Sequence, residues 1–189
     1  MRKVFLGILI IIFSYLLFNS FNDNNFNLSR STGQVLDSLH GVYVYYNGGV
    51  NQVHSRNIAP DNYNLGLKYQ CVEFVKRYYY EHYKHKMPDS YGNAKDFYDP
   101  LIGDGVNNNR RGLLQYTNPS FSKPKVGDIL VFSSSVFNPY GHVAIVSNVR
   151  GKELEIIQQN PGPFGSTRKI YYLENDRHKW KIAEDRILG

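Results

Sequence analysis

A single cysteine stands in this 189-residue chain, Cys71, within the run Tyr69-Gln70-Cys71-Val72-Glu73-Phe74. Cys71, Phe74, Val75, Tyr78, Tyr79 and His82 recur at spacings of three and four, which predicts a helix beginning at the cysteine. A thiol at a helix start faces unpaired backbone N–H groups and the positive end of the helix dipole, and both favour the thiolate. With a histidine beside it, such a thiol is expected to titrate at about 3.5–7.5. Gln70 lies just outside the helix, so its side chain and the Cys71 N–H are candidate donors to an oxyanion. The competing reading of the same run is a buried, inert cysteine.

The chain has six histidines to consider as a base. His82 and His85 fall on or just past the same helix, about 16 and 21 Å along its axis from Cys71, and cannot reach it. As an H-x-x-H pair they lack a third ligand, so no metal is expected. His40, His54 and His178 have no telling context. His142 differs, because it opens the apolar run Gly141-His142-Val143-Ala144-Ile145-Val146 immediately after a glycine. Residues 153–160 read as the next strand. If Arg150-Gly151-Lys152 is a three-residue loop, Ala144 opposes Gln158 and His142 opposes Asn160, bringing all three polar groups to one face. A two-residue loop shifts the register by one and turns Gln158 and Asn160 away. The convergent register puts Glu155 on the far face from His142.

These residues need a scaffold, and the patterning supplies an α+β order. Residues 41–46 read as a strand, Asn47-Gly48-Gly49 as a hairpin turn and residues 50–55 as its partner strand. Asp61–Leu67 and Gly103–Gly112 read as loops, and Ser90–Tyr98 holds a short helix. After Pro124 come strands at 129–132, 141–146, 153–160, 169–173 and 179–187. The N-terminus begins Met1-Arg2-Lys3 and continues with an apolar run from Val4 to Phe18. Residues 1–21 therefore read as a signal peptide or an N-terminal membrane anchor, residues 22–35 as a polar tether and 36–189 as the domain. The basic flank precedes the apolar run, which places the body outside the cytoplasm, with residues 4–21 as a route to membrane attachment. Export makes the lone thiol notable, since exported chains use cysteines in pairs. The formal charge of +6 suits an anionic surface but selects none, and no nucleic-acid motif accompanies it.

The runs YQCVEF, KVGDILVF followed by GHVAIV, and EIIQQN resemble, in order and spacing, the CHAP family of cysteine, histidine-dependent amidohydrolases and peptidases, in particular the branch holding the amidase domain of glutathionylspermidine synthetase/amidase. The resemblance covers residues 36–189. It implies a papain-like, NlpC/P60-like α+β fold in which the cysteine helix packs on an antiparallel sheet carrying the histidine. It implies Cys71 as nucleophile, His142 as general base and acid, and Gln70 as part of the oxyanion site. Where close relatives have an acidic residue before Gln-Asn, this chain has Gln158, which implies an orienting role for Gln158 on His142 with Asn160 as alternative or auxiliary. No cofactor is implied. The activity expected is thioester-mediated hydrolysis of amide bonds in cell-wall peptidoglycan. A glutathionylspermidine-type amidase and a non-catalytic wall-binding module are the alternatives.

Overall fold

The structure, a computed structural model, describes residues 2–136 and 138–189 but not the side chains at 2, 3, 18, 19, 21 and 22, so Met1 and the basic side chains expected to flank the apolar run lie outside the described residues. A first helix, α1 (Arg2–Asp23), carries exposed apolar side chains such as Phe5, Ile11 and Phe13. Among the described residues no helix is long and apolar enough to cross a membrane, so the expected anchor over residues 4–21 finds no support. The segment expected as a tether is docked on the body. Asn27 Nδ2 donates to Pro163 O at 2.9 Å and the Tyr46 hydroxyl donates to Asn25 Oδ1 at 2.7 Å.

The first hairpin joins β1 (Val35–Leu39) to β2 (Val42–Tyr45). Its turn is His40-Gly41, with φ of 48° and 83°, rather than the expected Asn47-Gly48-Gly49. Two successive positive φ values match the twist of a tight hairpin, and this displaces the predicted pairing of residues 41–46 with 50–55. Asn47–Gln52 forms instead a loop closed on itself, with Asn47 Nδ2 on Gly49 O and the Gly49 N–H on Gln52 Oε1. Strand β3 (Arg56–Ile58) pairs with β4 (Asn64–Leu67), the latter within the expected loop at Asp61–Leu67. Helix α2 (Cys71–Tyr83) begins where the periodicity placed it. A short 3-10 turn (Ala94–Phe97) and the ribbon β5 (Val106–Asn108) with β6 (Leu113–Gln115) follow.

The C-terminal half forms one antiparallel sheet from β7 (Ile129–Phe132), β8 (His142–Arg150), β9 (Glu153–Ile157), β10 (Arg168–Asp176) and β11 (Lys179–Ile182), in the order β11-β10-β9-β8-β7. Phe74, Val75, Tyr78 and Tyr79 of α2 pack on one face, against Val131, Val143, Ile145 and Ile157. Leu130, Phe132, Ala144, Val146, Leu154 and Ile156 face the other way, covered by Tyr171, Leu173, Ile182 and Ile187. A strand buried on both faces reads as an unbroken apolar run, which is why Val143–Val146 shows no alternation. The free edge of β7 is closed by the chain end, with the Leu188 N–H on Val131 O and the Val131 N–H on Gly189 O, both at 2.8 Å. The architecture is α+β with the papain-like layout of a helix packed on an antiparallel sheet.

Candidate active site

Tyr69, at φ 67°, turns the chain so that Gln70 in extended conformation leads directly into α2. Gln70 O accepts the first helical hydrogen bond, from the Phe74 N–H, so Cys71 occupies the first turn with its N–H unused by the helix. Strand β4 crosses this turn closely. A Cβ at Gly66 would sit 3.3 Å from the Glu73 Cα, and the φ of +126° there suits only glycine.

His142 begins β8 opposite Phe132, whose ring lies 5.8 Å from the imidazole. The glycine before it is required by close approach. At Gly141 (φ +74°) a Cβ would come within 2.6 Å of Phe132 O and 3.0 Å of the Lys95 Cβ. The Lys95 N–H in turn donates to Tyr140 O, so the 3-10 turn and the start of β8 fix each other.

The β8–β9 register resolves the two alternatives in an unforeseen way. Arg150 pairs with Glu153, so the loop is the two-residue Gly151-Lys152, not the three-residue loop on which the convergent register was expected to depend. A bulge between Val146 and Asn148 then inserts Ser147 into β8 and restores the register, so that Ile145 opposes Ile157. Extended by the same count, that register sets Ala144 against Gln158. His142 and Gln158 therefore still meet with a shorter loop, while Asn160 turns to Val50 and Gln70. Ser147 Oγ donates to Glu155 Oε1 at 2.7 Å, and Arg168 Nη1 meets the same oxygen at 2.8 Å, so Glu155 is occupied away from His142.

Gln158 Oε1 lies 2.9 Å from His142 Nε2, while Gln158 Nε2 donates to Ser166 O at 2.9 Å. The second contact fixes the first. Since the amide nitrogen is committed to a carbonyl, the oxygen faces the ring, His142 Nε2 must carry the proton, and Nδ1 is left as the basic nitrogen. Burial pushes His142 down to about 4, with the Gln158 hydrogen bond opposing and the Arg186 charge adding to the fall. At neutral pH the imidazole is neutral and able to accept a proton.

Cys71 was expected to be a low-pKa thiol, and here the environment works the other way. Burial pushes it up, against the pull of the backbone N–H groups of Val143, Val72 and Cys71 itself. The helix start is present, but desolvation outweighs it. The Val143 contact places the sulfur beside the residue following His142. Among the described residues the thiol and the imidazole share no hydrogen bond.

Gln70 and Asn160 are engaged with each other. Asn160, at φ 58°, donates through Nδ2 to Val50 O and to Gln70 Oε1, both at 2.8 Å. Gln70 Nε2 donates to Gln52 O at 2.8 Å and reaches Val50 O at 3.4 Å. One Gln70 hydrogen is thus committed to the loop, and the other makes only a long contact. Asn160 touches Gln70 and the 47–52 loop, and it is Gln158 that holds the imidazole. His82 stacks on His40 and His85 Nε2 meets Arg111 O, and among the described residues no group of three or more His, Cys, Asp or Glu side chains is placed to hold a metal.

The CHAP domain profile matches residues 61–160, which contain Cys71, His142, Gln158 and Asn160. The chain belongs to the CHAP family. This CHAP chain is 32% identical over 145 residues to the bifunctional glutathionylspermidine synthetase/amidase of Escherichia coli (strain K12), covering 71% of this chain and 23% of that protein. It is 31% identical over 109 residues to endolysin PlyTW of Staphylococcus phage Twort (strain DSM 17442 / HER 48), covering 57% of this chain and 19% of the endolysin. It is 29% identical over 128 residues to the trypanothione synthetase of Crithidia fasciculata, covering 66% of this chain and 20% of that enzyme. The aligned region is thus about a fifth to a quarter of each relative's length.

Sequence reasoning passed over two residues of this CHAP site, Glu73 and Gln159. Both are buried, and Gln159 Nε2 donates to Glu73 Oε2 at 2.8 Å. Strand alternation carried the signal for one of them: if Gln158 faces His142, Gln159 must face the helix.

Proposed function

We propose that this CHAP chain is a cysteine amidohydrolase or peptidase that cleaves amide bonds of cell-wall peptidoglycan through a thioester. The observation that carries the reading is the His142 Nε2–Gln158 Oε1 contact, with the amide nitrogen held by Ser166 O, because it leaves Nδ1 as a base next to the cysteine helix. The thiol proton passes from Cys71 to His142 Nδ1 as sulfur attacks the carbonyl carbon. The oxyanion is met by the Cys71 N–H and by the Gln70 hydrogen now making the long contact to Val50 O. His142 then protonates the leaving amine and the C–N bond breaks, giving the thioester. Water yields a proton to Nδ1 and attacks the same carbon, and the departing sulfur recovers its proton from His142. Resting thiol and imidazole are both neutral, so the charged pair forms only in the reacting complex.

The endolysin likeness supports a wall substrate acted on outside the cytoplasm. A second reading, an amidase acting on glutathionylspermidine, is favoured by the longer alignment with the synthetase/amidase. Mass spectrometry of products from purified peptidoglycan and from glutathionylspermidine, run side by side, separates them. Cys71→Ala abolishes product from the true substrate while the domain stays folded. If wild type binds wall material and releases no product, the chain is a binding module and the hydrolase reading fails.

A further inference from the structure

Three consecutive residues after β9 point to three different parts of the molecule. Gln158 meets His142, Asn160 meets Gln70 and the 47–52 loop, and Gln159 between them turns to the first turn of α2. Gln159 is 0% exposed and every polar atom of its side chain is paired. Its Nε2 donates to Gln70 O at 3.0 Å and Glu73 Oε2 at 2.8 Å, and its Oε1 accepts the Tyr45 N–H at 2.7 Å. The far side of Glu73 is anchored as firmly. Its Oε1 accepts from Asn57 Nδ2 at 2.8 Å and from Arg77 Nε at 2.6 Å, and Arg77 Nη2 donates to Tyr43 O at 2.7 Å. Glu73 and Arg77 are 2% and 6% exposed. A buried ion pair of this kind contributes geometry more than net stability, since desolvation offsets most of its attraction.

We propose that Gln159, braced by Glu73 and Arg77, is a positioning residue for the reaction. It pins the helix turn that carries Cys71 to the strand end that carries Gln158, and so sets thiol and imidazole in register. The argument is one of linkage. Gln158 is adjacent to Gln159 in the chain, so slack at 159 moves the Gln158 oxygen against the His142 ring. Gln70 O and Glu73 belong to the cysteine's own turn, so the same slack moves the sulfur against Val143. The other side-chain tie between these two parts among the described residues, from Asn160 to Gln70, is only half-buried, whereas Gln159 is enclosed. Substrate need not touch any member of the set.

The inference rests on the hydrolase reading for its kinetic arm but not for its spectroscopic one. Gln159→Met keeps the side chain unbranched and near in volume while removing all three hydrogen bonds. The expected result is a kcat lowered at least tenfold with KM within twofold, and a His142 imidazole whose NMR titration moves from about 4 toward its ordinary value as the strand end loosens and admits water. A folded variant with wild-type kcat and titration overturns the proposal. So does a lower melting temperature with kcat and KM falling together and the titration unchanged, which is the mark of a merely structural role. Should Gln159→Met fail to fold, Glu73→Gln reads the same contact from the other end, with the same expected and overturning results. If wild type hydrolyses none of the amides tested, the functional reading fails while the titration still decides the positioning role.

Discussion

Gln158 occupies a place where a carboxylate would stabilise an imidazolium, and its amide can only orient the ring. That difference has a measurable sign. A neutral partner leaves burial as the dominant influence on His142, which is why the ring is pushed down to about 4. The acid limb of kcat/KM should therefore lie well below the value of an ordinary histidine, since activity needs the neutral ring and is lost only as His142 protonates. Gln158→Glu places a negative charge next to Nε2, which favours the protonated ring and raises the acid limb by about one to three pH units. The same change sets a carboxylate oxygen against Ser166 O where an N–H now donates, and so costs on the order of 1–3 kcal/mol of stability. A pH–rate profile whose acid limb stays in place would show that residue 158 does not face the imidazole. Little of this was hidden in the sequence. The family resemblance implied Gln158 as the residue that orients His142, while strand register left two alternatives open; the tautomer could not be read at all, because it depends on Ser166, which carries no pattern of its own.

At the scale of elements, legibility tracked how local the cause was. The start of α2 and the strand at 129–132 follow from spacing within a few residues and stand where expected, and the strand expected at 141–146 is present but runs on as β8 to Arg150. The first hairpin was misread because two turn signals compete, and His40-Gly41 wins by placing both positive φ values in a loop of the right length. The β8–β9 bulge is silent in sequence, since Ser147 in an apolar strand looks like any edge polar residue. The expectation of a low-pKa thiol failed for a related reason: a helix start is visible in sequence, whereas the packing that desolvates it is not. Gly141 shows such long-range demand in a testable form. Gly141→Ala must shift Phe132 O or the 3-10 turn and also strain a positive φ, for about 1–3 kcal/mol of lost stability. Because the displaced segment begins with His142, denaturant melts and kcat should fall together, whereas Gly151→Ala, whose Cβ meets nothing within 4 Å, strains φ alone and should leave kcat near wild type.

For the whole molecule, the neutral His142 of the proposed mechanism would link activity to folding. His142 is depressed in the folded chain relative to its unfolded value of about 6.5. Its contribution to stability is thus fully present above pH 6.5 and is lost as pH falls toward 4, because the unfolded chain binds a proton that the folded chain refuses. The carboxylates of Asp37, Asp89, Asp104 and Glu155 are held below their usual range, and what they contribute is lost lower still. Asp128, pushed up by burial, acts in the opposite sense, because its protonation favours the folded form. Cys71, pushed up as well, matters only in alkaline solution. His142→Gln removes one titrating group and leaves these others in place. The expected outcome is a melting temperature that falls less between pH 6.5 and 4 than that of wild type, by an amount equivalent to roughly 2–3 kcal/mol. Parallel curves for the two proteins would mean that the ring is already open to protonation in the folded state. In that case burial does not hold the ring neutral; a thiolate–imidazolium pair would go further and lift the folded-state histidine above its unfolded value, so that wild type gains on the variant as pH falls toward 6.5.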